Sequence, residues 1–349
     1  MTHCTVVTGA AGFIGSHVSA ALLRRGGRVV GVDNFDPLYD PALKRANVAS
    51  LDSDRFELHE ADIRDAAAIA GLLERARPGL VVHIAAMAGV RPSIERPGVY
   101  ADVNVTGLVN TLEAMRRAGV ERLIFASSSS VYGDNATTPF AEDHPVRRPI
   151  SPYAATKRAG EMLCETWARV YGLRAGMLRF FTVFGPAQRP DLAISGFMSR
   201  IARGEPVPMY GDGTSSRDYT YVDDVVAGTL AACDVVDAAA AGFCRVWNLG
   251  HNRPVALADM IRRIGQVVGR EPIITALPMQ PGDVRHTWAD LTRAQRELGY
   301  SPRVDFDEGL RRQWAWMRAS GAASPSGSTC DSASGSMFGG DEGRGVSAP

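Results

Sequence analysis

Lysine is almost absent from this chain of 349 residues: Lys44 and Lys157 are its two lysines, and the other 36 of its 38 basic residues are arginine. Neither sign of charge is in excess, because 38 acidic residues balance the basic ones. Partners that select one sign of charge, nucleic acids and membrane surfaces, are therefore not expected. Long apolar runs are missing too; none reaches the roughly 20 residues needed to span a bilayer. A secretory leader is not expected, since a β-rich run already begins at Cys4. Cys4, Cys164, Cys233, Cys244 and Cys330 form no Cys-x-x-Cys and suit a reduced, cytoplasmic setting. The seven histidines show no His-x-x-x-His or mixed-ligand spacing, so no metal is expected. Of these, His83 lies inside an apolar run and reads as a core residue. Residues 319–349 are rich in Gly, Ser and Ala, have little to bury, and read as a disordered tail.

What is present starts with a nucleotide-binding pattern. The β-rich run Cys4–Thr8 breaks at Gly9-Ala-Ala-Gly12-Phe-Ile-Gly15, and Ser16–Arg25 then has helical periodicity. Strand, glycine-rich turn and helix in that order place a pyrophosphate at a helix N-terminus. Gly9 allows the tight turn, Gly12 lets backbone approach phosphate, and Gly15 lets helix and strand pack closely. A second apolar run, from Arg28 to Val32, ends at Asp33, 18 residues after Gly15. An acid at that distance accepts hydrogen bonds from the adenosine ribose. It would also repel a 2′-phosphate, which favours NAD over NADP.

Further strand-like runs at 55–60, 80–85 and 122–126 alternate with helical segments at about 66–76, 98–117 and 152–171. Such alternation implies an α/β fold with a Rossmann-type doubly wound parallel sheet. Ligands in these sheets bind at the carboxyl ends of the strands. Gly9–Gly15, Asp33, Asp62-Ile63, Ala85-Ala86 and the serine run 127–130 all fall at such ends. The expected division is a dinucleotide-binding domain at 1–182, to which about 215–250 returns, and a smaller α/β substrate lobe at 183–318.

Lys157 stands four residues after Tyr153. Residues at i and i+4 share a helix face. A cation beside a phenol favours phenolate and lowers the tyrosine pKa, giving a general base for an alcohol proton. Taken alone, the spacing also describes an ordinary surface pair on a helix.

Glycine turn, serine run and Tyr-x-x-x-Lys in this order resemble the extended short-chain dehydrogenase/reductase superfamily. Within it the chain resembles the NAD-dependent epimerase/dehydratase family and, more narrowly, UDP-glucuronate 4-epimerases. The strings that carry this are Ala88-Gly-Val-Arg91, Ala126–Gly133, Tyr153-Ala-Ala-Thr-Lys157 and Arg179–Pro186, followed by Gln188–Ala193, Arg217–Asp224 and Pro281–Arg285. The resemblance covers residues 3 to about 318.

It implies NAD-dependent isomerisation of UDP-glucuronate to UDP-galacturonate through transient oxidation at C4. UDP-glucose or UDP-N-acetylglucosamine 4-epimerisation stays open, and behind these UDP-glucuronate decarboxylation. By resemblance, Tyr153 is the base, Lys157 holds the nicotinamide ribose and lowers the Tyr153 pKa, and Ser128 shares a proton with O4. Phe13, Ile14, Asn34, Asp62, Ile63, Met87, Asn104 and Phe180 join the cofactor set. Family dehydratases carry Asp-Glu directly after the catalytic hydroxyl residue and decarboxylases a glutamate; here these positions are Ser129 and Ser130. Thr182 matches the glucuronate epimerases and, with Ser129 and Ser130, would hold the sugar carboxylate. Arg189 would support substrate binding, Arg217 and Arg285 would hold the UDP pyrophosphate, and Arg91 and Ser93 would form a loop over the sugar. A homodimer through a four-helix interface made by 98–117 and 152–171 is implied as well.

Overall fold

The computed structural model describes residues 4–135, 137–279 and 284–322. Strands β1 (Cys4–Thr8), β2 (Arg28–Asp33), β3 (Phe56–Glu60), β4 (Leu80–His83), β5 (Arg122–Ser128) and β6 (Arg174–Phe180) alternate with helices. The second half adds β7 (Thr182–Phe184), β8 (Val207–Tyr210), β9 (Ser216–Tyr221), β10 (Cys244–Leu249), β11 (Pro254–Ala256) and β12 (Ile274–Leu277). Seven of these form one sheet in the order β10-β6-β5-β4-β1-β2-β3, and every pairing in it is parallel. Helices cover both faces, so β1, β4 and β5 are buried along almost their whole length. That explains their continuous apolar character rather than alternation. His83 at the end of β4 is buried, bonded to Thr8 Oγ1 at 3.1 Å and stacked on Phe125.

The chain order reverses beside β1, with β2 on one side and β4 on the other. This switch point opens the crevice at the strand ends. The glycine turn lies in it. Gly9 has φ +72°, and a Cβ there would come within 2.8 Å of the Ala85 backbone. A Cβ on Gly15 would sit 1.9 Å from the Gly9 carbonyl oxygen. Close approach of the helix Phe13–Arg24 to β1 thus needs glycine at both places.

Local boundaries differ from the sequence reading; the first helix begins at Phe13 rather than Ser16. The run expected at 80–85 is strand only to His83, after which the amides of Ile84 and Ala85 both donate to Thr8 O. The run expected at 122–126 continues as strand through Ser128, and Ser129–Tyr132 form a single 3₁₀ turn. The helix expected at 98–117 is three joined pieces, Pro97–Ala101, a π-helical turn Asp102–Thr106, and Gly107–Ala118. The helix Pro152–Tyr171 runs unbroken from a Ser151 cap, whose hydroxyl accepts from Ala154 N, to Gly172 at φ +75°.

The second lobe contains the sheet β11-β9-β7 and the ribbon β12-β8, with helices Ala193–Arg203, Leu257–Val268, Thr292–Leu298 and Phe306–Ala319. Between its parts, the helix Val222–Ala238 packs on the first helix and β10 completes the large sheet. One apolar cluster runs from Val7 and Ile124 to Phe184, Met260 and Phe306, so no break in the core separates the two lobes. The helix ending at Ala319 overlaps the start of the expected tail; residues 323–349, with Cys330, lie outside the described residues. Among the described residues no helix is long and apolar enough to cross a membrane.

Candidate active site

A cavity of about 350 Å³ follows the crevice. Its size falls within the roughly 300–1,000 Å³ of small-molecule sites. At one end lie Gly9, Gly12, Phe13, Ile14 and Gly15, with Asp33 and Asn34 after β2 and Asp62 and Ile63 after β3. Ala85, Ala86 and Met87 line the middle. Ser128, Tyr153, Lys157, Phe180, Thr182 and Arg189 line the other end.

Gly12 caps the first helix without a side chain, and the first-turn amides of a helix have no partner within it. Residues Phe13–Gly15 of that turn face the cavity, so an anionic group fits there. Asp33 is buried; its carboxylate accepts from Ala11 N at 3.0 Å and Phe35 N at 2.9 Å. Arg64 holds the Asp62 carboxyl down at about 2 through a hydrogen-bonded ion pair, and Asn34 Nδ2 adds a bond of 2.8 Å. A glycine turn, a helix N-terminus and a buried acid in succession fit a dinucleotide.

At the far end the Ser128 Oγ accepts from Ser130 N at 3.1 Å and lines the cavity together with the Tyr153 phenol. Burial pushes the Tyr153 pKa up; the Ser128 hydroxyl and the Arg189 charge pull it back. Lys157 stands on the same helix face, one turn on from Tyr153. Its Nζ donates to Ala126 O at 2.7 Å, sits 6.0 Å from the Tyr153 ring centre, and burial lowers its own pKa to about 8. Arg189, at 13% side-chain exposure, pairs with Asp191 and lies 5.7 Å from the Tyr39 ring.

The model of the NAD dependent epimerase/dehydratase family matches residues 5–250. The chain belongs to this family. It is 44% identical to UDP-glucuronate 4-epimerase 3 of Arabidopsis thaliana over 326 residues, 89% of this chain and 75% of that protein. With UDP-glucuronate 4-epimerase of Thermodesulfobacterium geofontis it shares 40% over 315 residues, 90% of this chain and 95% of the other. Among solved structures, the UDP-glucuronic acid 4-epimerase of Bacillus cereus in complex with UDP-glucuronic acid and NAD superposes with a TM-score of 0.84 at 34% identity. That match covers 90% of this chain and 99% of the other.

Not every residue singled out from the sequence lines the cavity of this epimerase/dehydratase family member. Asn104 is buried behind it, in the π-helical turn. Its amide accepts from Met87 N and donates to Met87 O and Thr156 Oγ1, so every polar end is used by protein. It shapes the 85–89 loop rather than meeting a ligand directly. Ser93 is fully buried and its hydroxyl donates to Val90 O, within its own short helix, instead of reaching toward a sugar. Arg91 stacks over Tyr210 of the second lobe, and Ser129 and Ser130 stand in the 3₁₀ segment, just outside the cavity lining. Arg217 Nη1 donates to Arg285 O at 3.3 Å; both stand on the second lobe outside the cavity lining.

The sequence reading missed several lining residues, Lys44 and Tyr39 among them. Lys44, buried, donates to Asp36 O at 2.9 Å, lies 3.9 Å from Asp33 Oδ1, and sits 5.0 Å from the Tyr39 ring centre. Tyr39 itself joins the lining. The signal for Lys44 was available: in a chain that uses arginine almost everywhere else, both lysines line this cavity.

Proposed function

We propose that the protein is an NAD-dependent UDP-glucuronate 4-epimerase. The observation that carries the substrate is the distribution of charge along the cavity. Its lining carboxylates, Asp33, Asp36 and Asp62, all stand at the β2 and β3 end; the end at Ser128, Tyr153, Thr182 and Arg189 presents hydroxyls and a guanidinium. An acidic sugar meets no like charge there. Elimination or decarboxylation aided by a carboxylate would lack its acid–base group.

NAD, when bound, supplies a reversible hydride acceptor and a cationic ring that favours the Tyr153 phenolate. Gly9–Gly15 would hold its pyrophosphate, Asp33 with Lys44 its adenosine ribose, and Lys157 the nicotinamide ribose. Tyr153 would take the proton of the 4-hydroxyl, with Ser128 sharing it, and return it after the flat 4-keto sugar has turned over. Such a sugar acid is a β-keto acid and loses CO₂ when the carboxylate aligns with the carbonyl π system. Thr182, Ser129 and Ser130 would hold the carboxylate out of that alignment. Arg217 and Arg285 would bind the UDP diphosphate as guanidinium forks, and Arg91 would stand over the sugar.

The helix Pro152–Tyr171 leaves Met162, Val170 and Tyr171 exposed next to the helix Gly107–Ala118. That apolar face supports a homodimer through four helices. The free thiols of Cys4, Cys164, Cys233 and Cys244 suit a cytoplasmic setting. Purified protein incubated separately with UDP-glucuronate, UDP-glucose and UDP-N-acetylglucosamine, with products resolved by chromatography and mass, tests the reading. Formation of UDP-galacturonate is expected. Turnover of a neutral sugar alone, or release of CO₂ as the main reaction, would overturn it.

A further inference from the structure

Tyr153, Lys157 and Glu161 follow one another at i, i+4 and i+8 on the helix Pro152–Tyr171, so they share a face. Glu161 is wholly buried. Its Oε1 accepts from Ser127 Oγ at 2.7 Å and Arg179 Nε at 2.8 Å. Its Oε2 accepts from Arg179 Nη2 at 2.9 Å and Arg158 Nη1 at 3.0 Å. Burial favours the neutral acid, but these bonds outweigh it and hold the carboxyl below its usual pKa. Four charge-assisted bonds therefore fix one carboxylate.

What it joins is the active site. Ser127 and Arg179 are register partners across β5 and β6, as are Ser128 and Phe180 one residue on. Ser128 in turn lines the cavity with Tyr153, favours its phenolate, and caps the turn that carries Ser129 and Ser130. One carboxylate thus ties the helix of Tyr153 and Lys157, the strand end of Ser128, and the strand end of Phe180. A buried ion pair is a poor source of stability compared with apolar packing of the same volume. What it fixes is geometry.

We propose that Glu161 is a positioning residue for the reaction: through Ser127 it sets the serine run against the Tyr153 phenol. The proposal rests on the reading of Tyr153 as base given above. Glu161 touches neither substrate nor cofactor and acts through the hydroxyl of Ser127. Replacing Glu161 would leave Arg179 charged and buried, and the variant could fail to fold. Ser127→Ala removes only the hydroxyl–carboxylate bond and leaves the ion pair whole. Ser127→Thr keeps the hydroxyl.

Two measurements on the full chain test it. In the first, kcat of Ser127→Ala on the UDP-sugar that wild type epimerises is expected to fall about tenfold with KM changed less than threefold. Ser127→Thr should recover most of that loss. The second needs no turnover: phenolate absorbance is titrated, and the Tyr153 contribution is taken as the difference from Tyr153→Phe. In Ser127→Ala the Tyr153 ionisation should move to higher pH, about threefold tighter proton binding, because the Ser128 hydroxyl that favours phenolate is no longer held in place. The charges near the phenol, Lys157 on its own helix and Arg189 from the second lobe, and the neighbouring phenol of Tyr100, are untouched by the substitution. An unchanged Tyr153 ionisation, or a kcat within twofold of wild type, would overturn the proposal. If wild type ignores UDP-glucuronate but turns over a neutral UDP-sugar, the substrate reading fails while both measurements still decide the role of Glu161.

Discussion

The ammonium of Lys157 points at the main-chain oxygen of Ala126, 2.7 Å away, and not at the Tyr153 phenol. Burial lowers the Lys157 pKa from the ordinary 10.5 to about 8. The unfolded chain therefore binds more protons between these two values, and stability contributed by neutral Lys157 is complete above about 10.5 and lost as pH falls to about 8. The full swing is on the order of 3 kcal/mol. The thiols of buried Cys233 and half-buried Cys244, pushed up to about 12, act in the opposite sense above pH 9. Thermal denaturation of cofactor-stripped wild type and Lys157→Met between pH 7 and 10, about the titration range of a buried lysine, isolates the lysine as the difference in slope. Parallel curves would show that Lys157 does not titrate there.

Tyr153→Phe keeps the ring contact with Tyr100, whose centroid lies 6.2 Å away. Bound NAD should persist while epimerisation falls by about 10²–10⁴, the usual loss for an acid–base group. Residual activity above about a tenth of wild type would assign the base elsewhere.

Asp33→Ala strands the amides of Ala11 and Phe35 and frees the Lys44 ammonium. A hydrogen bond to a charged group is worth about 1.5–3 kcal/mol, so NAD should bind at least about tenfold more weakly. NADP should gain relative to NAD, because a cation then stands where an anion did. Cofactor content after dialysis and the ratio of the two dissociation constants check this; an unchanged ratio contradicts it.

Thr182→Ala should loosen the substrate carboxylate. Losing one such bond, about 1.5–3 kcal/mol, would raise the share of cycles ending in CO₂ loss by about ten- to a hundredfold. Mass spectrometry would find a UDP-4-keto-pentose alongside reduced cofactor. Equal, negligible amounts in wild type and variant, with normal consumption of UDP-glucuronate, would clear Thr182 of that role.

Met162→Glu combined with Val170→Glu places two charges on the exposed face of the helix Pro152–Tyr171. Sedimentation should report a dimer for wild type and a monomer for the double variant. An unchanged mass would move the interface off this helix.

Local signals in the sequence determined the class of fold. Apolar runs of five to seven residues alternating with 3.6-residue periodicity specify a parallel sheet wrapped by helices, because both faces must be buried. Glycines at 9, 12 and 15 and the acid at 33 were legible for the same reason: their spacing encodes turn and strand length directly. So was the Tyr153–Lys157 pair, whose i, i+4 geometry is a property of one helix. Tertiary structure alone decided where those side chains point. Lys157 turns to Ala126 because the end of β5 lies beneath it, and Asn104 serves Met87 because a π-helical turn rotates it inward. Lys44 reaches Asp33 from the inner face of the helix Pro41–Ala49, which follows β2. Glu161, Ser127 and Arg179 come from one helix and two strands, up to 52 positions apart in the chain, and no period in the sequence links them. Contacts between elements depend on packing across the sheet, which sequence spacing does not encode.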